Sequence, residues 1–143
     1  MDAQFITDKI QSKLMGKGFS DKEDETKERF GNKKGDERTV DGKILSCSVT
    51  GEFSAEGQYL GTIDLKYDGD YRRKHFIGIG REYELEEKNC SGNVVAKVKI
   101  WLLGRSITSY DIKSSEPSTA HSSTRMCNEG IRDLITYIIN NLE

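Results

Sequence analysis

From Val40 to Ile112 apolar and polar residues alternate with a period of two, and this stretch limits the fold more than any other feature of the chain. Side chains on a strand point alternately to opposite faces, so the alternation marks half-buried strands. Five runs stand out. Val40 to Phe53 sets Leu45, Cys47, Val49, Gly51 and Phe53 on one face against Ile44, Ser46, Ser48, Thr50 and Glu52 on the other. Tyr59 to Tyr67 follows after a turn at Ser54 to Gln58. Asp68-Gly69-Asp70 reads as a hairpin turn, because Asp-Gly tolerates positive φ. Phe76 to Leu85 is a third strand, in which Gly78 and Gly80 suggest a bulge or close backbone packing. Cys90-Ser91-Gly92-Asn93 is the next turn. Val94 to Leu103 is the clearest strand and is expected at the centre of the sheet. After Gly104-Arg105, Ser106 to Ile112 pairs back.

Helical stripes flank this segment. Asp2 is a candidate N-cap, followed by Phe5, Ile6, Ile10 and Leu14 at helical spacing, with Gly16 and Gly18 as the stop. At the other end Cys127, Ile131, Leu134, Ile135, Ile138, Ile139 and Leu142 form a wider stripe, suited to lying across a sheet. A Ser/Thr-rich stretch from Ser114 to Thr124, holding the only proline, reads as the loop before it. The fold class is therefore α+β: an antiparallel meander of about five strands with both helices packed on one face. At 143 residues the chain is one domain, 1–143, with room for a core that needs neither disulfides nor metal.

One segment does not fit the alternation. Ser20 to Arg38 is charged at most positions, and Phe30 is its only large apolar residue. So little apolar surface cannot offset chain entropy, so 20–39 is expected to be a mobile linker or extended loop. A short exposed strand around Arg29 is the alternative reading. An arm that orders on a partner is the functional one.

Composition narrows the function classes. A net charge of −2 argues against wrapping nucleic acid by overall electrostatics, while leaving room for a local basic patch. No apolar run reaches the roughly twenty residues of a membrane span. Met1-Asp2-Ala3-Gln4 lacks the basic start and apolar stretch of a signal peptide, so the chain reads as cytoplasmic as written, or periplasmic if an export signal has been removed. Cys47, Cys90 and Cys127 are odd in number and widely spaced, which fits reduced thiols with one or two in the core.

Candidate chemistry is sparse. Tyr71-Arg72-Arg73-Lys74-His75 is the densest basic cluster. At a hairpin end its cations would hold a phosphate and its tyrosine would stack on a base. The competing reading is a solvated hairpin end kept from edge pairing by its charges. Gly78-Ile79-Gly80-Arg81 looks like the start of a phosphate-binding glycine loop, but a strand-like run follows it instead of a helix. Cys127 near a helix N-terminus, with His121 six residues before it, is the least improbable catalytic pair; a core cysteine explains Cys127 more simply. The acidic run Glu82, Glu84, Glu86, Glu87 reads as the solvent side of a strand, not a metal site. No catalytic residue, metal site or cofactor is assigned.

The order of elements resembles a group of bacterial envelope domains: the TolB N-terminal domain, the curli secretion lipoprotein and the lipoprotein activators of penicillin-binding proteins. The resemblance rests on a helix ending in Leu14-Met15-Gly16-Lys17-Gly18-Phe19, a strand of the type Ile44 to Thr50, and a strand like Val95 to Leu102. A tight turn then leads to a strand like Ser106 to Tyr110, and a polar loop to a closing helix like Glu129 to Ile135. It implies a non-enzymatic domain that binds other proteins at the cell envelope, with no catalytic residues to carry over. Two features depart from the group: the charged Ser20–Arg38 segment and the lack of a lipidation cysteine at the start.

The function expected from the sequence is therefore a binding or assembly domain acting through protein–protein contacts, with Trp101 as an interface anchor if it is exposed. A nucleic-acid or phospholigand module using Arg72, Arg73, Lys74 and Arg81 is the alternative, and a small cysteine-dependent enzyme the third reading.

Overall fold

A computed structural model describes residues 2–115 and 122–142. Helix α1 (Ala3–Leu14) comes first, followed by β1 (Gly18–Asp24) and the short β2 (Lys27–Arg29). Three very long strands come next, β3 (Asn32–Phe53), β4 (Tyr59–Ile77) and β5 (Tyr83–Leu103). The chain ends with β6 (Ser106–Ser114) and helix α2 (Ser122–Asn140). All strand pairs are antiparallel, in the order β1-β3-β4-β5-β6, with β2 also on β3. This is the expected α+β sheet with a helix at each end. β4, not the Val94–Leu103 run, occupies its centre.

Helix α1 begins as the sequence suggests. The Asp2 carboxylate accepts the Phe5 N–H at 2.8 Å, and Gly16 ends the helix at φ 72. Ile6, Thr7, Ile10 and Leu14 are buried. Phe5 turns to solvent instead of joining the stripe. On α2, Met126, Cys127, Ile131, Ile135, Ile138 and Ile139 face the sheet. The loop expected over 114–124 falls mostly on 116–121, outside the described residues, and 122–124 open α2. His121 and Pro117 likewise lie outside. No helix among the described residues is long and apolar enough to cross a membrane.

Both expected interior turns, at 68–70 and 90–93, are strand. Asp70, Gly69 and Asp68 pair with Asp41, Gly42 and Lys43 on one side and with Asn89, Cys90 and Ser91 on the other. The glycines serve close approach. Phe19 pairs across from Gly42, and a Cβ on Gly42 would run into its ring. A Cβ on Gly69 would lie 3.1 Å from the Cys90 Sγ, and one on Gly92 3.0 Å from the Tyr67 hydroxyl. The strand expected at Phe76–Leu85 is instead the end of β4, a turn, and the start of β5; Gly78 and Gly80 take φ 91 and φ 56 there.

One further shift concerns β3. The register slips between Ile44 and Ser46. A bulge puts two residues opposite one and exchanges the faces. Ile44 is therefore buried and Leu45 is 60% exposed, the reverse of the simple alternation.

The charged segment is not a loop. Residues 18–24 pair with 37–43, residues 27–29 pair with 32–34, and the remainder opens β3. Its order comes from ladder hydrogen bonds and ion pairs in place of apolar burial. Arg38 reaches Asp36 at 2.8 Å and Glu25 at 3.4 Å, and Arg125 of α2 pairs with Glu23. The strand foreseen as an alternative near Arg29 is β2.

The core runs along one face of the sheet from the Phe53–Tyr59–Ile100 row to the Val40–Tyr71 row, covered by both helices. Beyond the Val40–Tyr71–Lys88 row the strands continue, at ~3.3 Å per residue, for about 25 Å in β3, about 20 Å in β4 and about 16 Å in β5, as an arm whose only buried apolar side chain is Phe76.

Substituting Gly42→Val should overpack the Phe19 ring and lower stability by about 1–3 kcal/mol in urea unfolding. Adding Phe19→Ala to that variant should cost less than Phe19→Ala in the parent, because the new side chain fills part of the void. A Gly42→Val protein as stable as the parent contradicts this packing.

Candidate functional site

The arm carries most of the residues that the sequence singles out, but not as one patch. Tyr71 to His75 lies inside β4, so its side chains alternate between the two faces. Tyr71 is buried at the top of the core, with the Lys88 ammonium 5.2 Å from its ring. Arg73 and His75 share the inner face. Arg72 and Lys74 share the outer face, where Arg72 meets Glu87 at 3.0 Å and Lys74 lies 5.1 Å from the Tyr83 ring centroid. Arg81 sits at the distal turn, 2.9 Å from Glu28. Trp101 stands at the far end of β5, half-buried, with the Lys99 ammonium 5.8 Å away. A phosphate ligand calling on Arg72, Arg73, Lys74 and Arg81 would meet them on three separate surfaces.

The inner face of the arm is an ionic lattice centred on Asp36. His75 Nδ1 lies 2.7 Å from its Oδ1, Arg38 Nη2 2.8 Å from its Oδ2, and Arg73 Nε 3.8 Å from Oδ1. Arg73 Nε is also 3.9 Å from Glu86. The hydrogen bond to His75, with help from Arg38 and Arg73, holds the Asp36 carboxyl below its ordinary range. Arg125 does the same for Glu23. The Nε atoms of Arg38 and Arg73 are buried without a hydrogen-bond partner.

At the distal end two turns lie side by side. Lys33 N–H donates to the Gly80 carbonyl at 2.7 Å, Gly78 N–H to the Lys33 carbonyl at 3.0 Å, and Gly80 N–H to Asn32 Oδ1 at 2.9 Å. Around them Phe30, Ile77, Ile79, Tyr83 and Leu85 are all exposed, Phe30 at 90%. Phe30 and Gly31 both have positive φ, 52 and 77. That is the hairpin geometry which normally selects Asn-Gly. Phe30 is the only non-glycine with positive φ among the described residues. A bulky side chain there costs on the order of 1 kcal/mol, and the exposed ring buries almost no surface in return, with the Arg29 guanidinium 5.5 Å from its centroid. Phe30 was legible only as an apolar residue among charges; its signal is the following Gly31, which places it in a turn.

Elsewhere, the uncovered face of the sheet forms an open trough of about 640 Å³, lined by Thr50, Thr62, Lys97, Lys99, Asp111 and Lys113 among others. All three cysteines are free and buried. Burial pushes the Cys47 thiol up to about 11 and raises that of Cys90, which turns both away from thiolate chemistry. Cys127 lies fully buried in the core. Among the described residues no three His, Cys, Asp or Glu side chains are grouped to hold a metal ion.

Compared with protein-family models, curated proteins and solved structures, the chain matches none of them.

A carboxyl whose pKa is lowered in the fold stabilises above its unfolded value, near 4, and that stabilisation is lost as pH falls through the lowered value. The arm should therefore loosen as pH drops below about 4, read from amide signals of residues 34–38 and 73–75. Asp36→Asn should remove much of that dependence, with Glu23, held low by Arg125, and Asp24, held low by its hydrogen bonds from Thr26, supplying the remainder. An unchanged acid profile in Asp36→Asn contradicts the lattice.

Proposed function

We propose that this chain is a non-enzymatic binding domain that works through protein–protein contact, with the projecting arm as its contact surface. The observation that carries this reading is Phe30. An aromatic 90% exposed is held in a backbone conformation that disfavours it, at the same distal end of the arm as exposed Ile77 and Ile79. Strain and exposure that folding does not need are the mark of a residue kept for contact. Apolar and aromatic side chains ringed by Arg29, Glu28 and Arg81 match the make-up of a contact core with a polar rim. The likeness to envelope assembly domains points the same way and adds the expectation of an envelope setting. Trp101, remote from the arm tip, serves as a secondary anchor at most.

Two measurements test the reading. A photo-cross-linking amino acid placed at Ile79, in the cell that makes the protein, should give adducts of discrete mass, whereas one at Lys66 on the body should not. Phe30→Asn should raise stability by about 1 kcal/mol by relieving the turn, while cutting the Ile79 adduct at least tenfold. Equal adducts from both positions, or Phe30→Asn leaving the adduct intact, would overturn the proposal.

A further inference from the structure

The arm has an open side. β6 pairs with β5 only from Ala96 to Leu103. From Tyr83 to Asn93, the side of β5 away from β4 has no strand beside it among the described residues. The direction of the backbone groups there follows from the register. The Val95 carbonyl accepts the Ser115 N–H at 3.0 Å, and the Val95 N–H donates to Ser115 Oγ at 3.3 Å. Val95 is therefore turned away from β4. The β4–β5 pairing runs without a shift from Tyr59–Ile100 to Phe76–Tyr83. Backbone groups in an antiparallel ladder alternate in direction residue by residue. Tyr83, Leu85, Glu87, Asn89, Ser91 and Asn93 thus present both N–H and C=O outward.

Exposed edges are normally blunted by proline, a bulge or charged side chains, lysine above all; the charges here are chiefly Glu84, Glu86 and Glu87, which repel an acidic strand and admit a cationic one. Residues 83–93 contain no proline and no register shift. The single cation, Lys88, is drawn to the Tyr71 ring at 5.2 Å and to Glu86 at 3.9 Å. The two faces of the edge differ. Tyr83 and Leu85 lie on the outer face, and Glu84 and Glu86 on the inner one. A second copy of the chain centred on the Glu84–Lys88 half of this edge fits poorly, and one centred on Asn89 or Cys90 would leave Glu84 and Glu86 without a cation opposite. A two-fold antiparallel pairing centred on residue 84, 86, 87 or 88 sets that charged residue against itself, and one centred on Leu85 sets Glu84 against Glu86.

Resting on the protein-binding reading, we infer that β5 residues 83–93 receive an extended segment of another protein as an added antiparallel strand. The segment carries Lys or Arg beside Glu84 and Glu86 and apolar residues beside Tyr83 and Leu85. Main-chain hydrogen bonds supply the attraction, and the alternation supplies the selection.

The probe is a fluorescent synthetic decapeptide alternating Lys and Val. It should bind saturably, and a Glu-Val peptide should bind at least tenfold more weakly. In the added strand the residue opposite Leu85 exchanges main-chain hydrogen bonds with it, so N-methylating the valines should abolish binding and N-methylating the lysines should not. Glu87→Pro removes one outward N–H without touching the β4 ladder and should weaken binding at least tenfold. The N-methylated peptides test the same bonds on the unaltered protein should that variant fail to fold. No saturable binding, equal binding of both methylated peptides, or a homodimer dissolved by Glu87→Pro overturns strand addition. An Ile79 adduct that survives Glu87→Pro removes strand addition and leaves the protein-binding reading in place; loss of every arm adduct from the parent removes that reading itself.

Discussion

Phe19 lies against a row of the sheet that contains nothing larger than a thiol. Gly42 is opposite it, Gly69 behind that, and Cys90 completes the row. The ring fills the space the two glycines leave and meets Tyr67 edge-on at 5.7 Å. Gly130 of α2 comes so close that a Cβ there would sit 2.9 Å from the Ser20 carbonyl and 3.1 Å from the Phe19 ring. One apolar side chain thus anchors β1 to β3 and seats the C-terminal helix on β1. Without it the charged residues that follow would have only ladder hydrogen bonds and ion pairs to hold them.

Above that row the inner face changes character. From Tyr59 and Val49 up to Val40 it is apolar and covered; from Arg38 outward it is a lattice of paired charges. Exposed ion pairs contribute little each, and the arm buries one phenylalanine. Its stability therefore comes mainly from continuity: the same three strands that form the core ladder continue into it. Segments with few buried apolar contacts open more readily than the core. An arm of this kind can adapt to a partner while the body stays folded.

The sequence makes the covered half of the fold legible and hides the arm. Burial drives period-two and period-3.6 patterns, so the two helices, the turns at 54–58 and 104–105, and the Val94–Leu103 strand could all be read. The arm is written in charge, and charge marks both solvated loops and ion-paired strands. Gly69 and Gly92 look like turns in the sequence because glycine usually serves conformational freedom; here it makes room for Cys90 and Tyr67. The simple alternation sets Leu45 on the face of Cys47 and Val49 because a one-residue bulge leaves no mark in it. Of the site residues, Arg73 and His75 could be found, but their division from Arg72 and Lys74 depends on the strand running unbroken through residue 70. Phe30 gave no apolar pattern at all.

β4 and β5 run unbroken from the core into an arm whose outer edge has no strand beside it among the described residues. Amide hydrogen exchange resolved by NMR should therefore show protection at 68, 69 and 70, together with a strict alternation along β5. The even-numbered amides from Glu84 to Gly92 should be slow, and the odd-numbered ones from Tyr83 to Asn93 fast. Fast exchange clustered at 68–70 and 90–93, with no alternation between them, would mean that the chain turns there, and would contradict the arm.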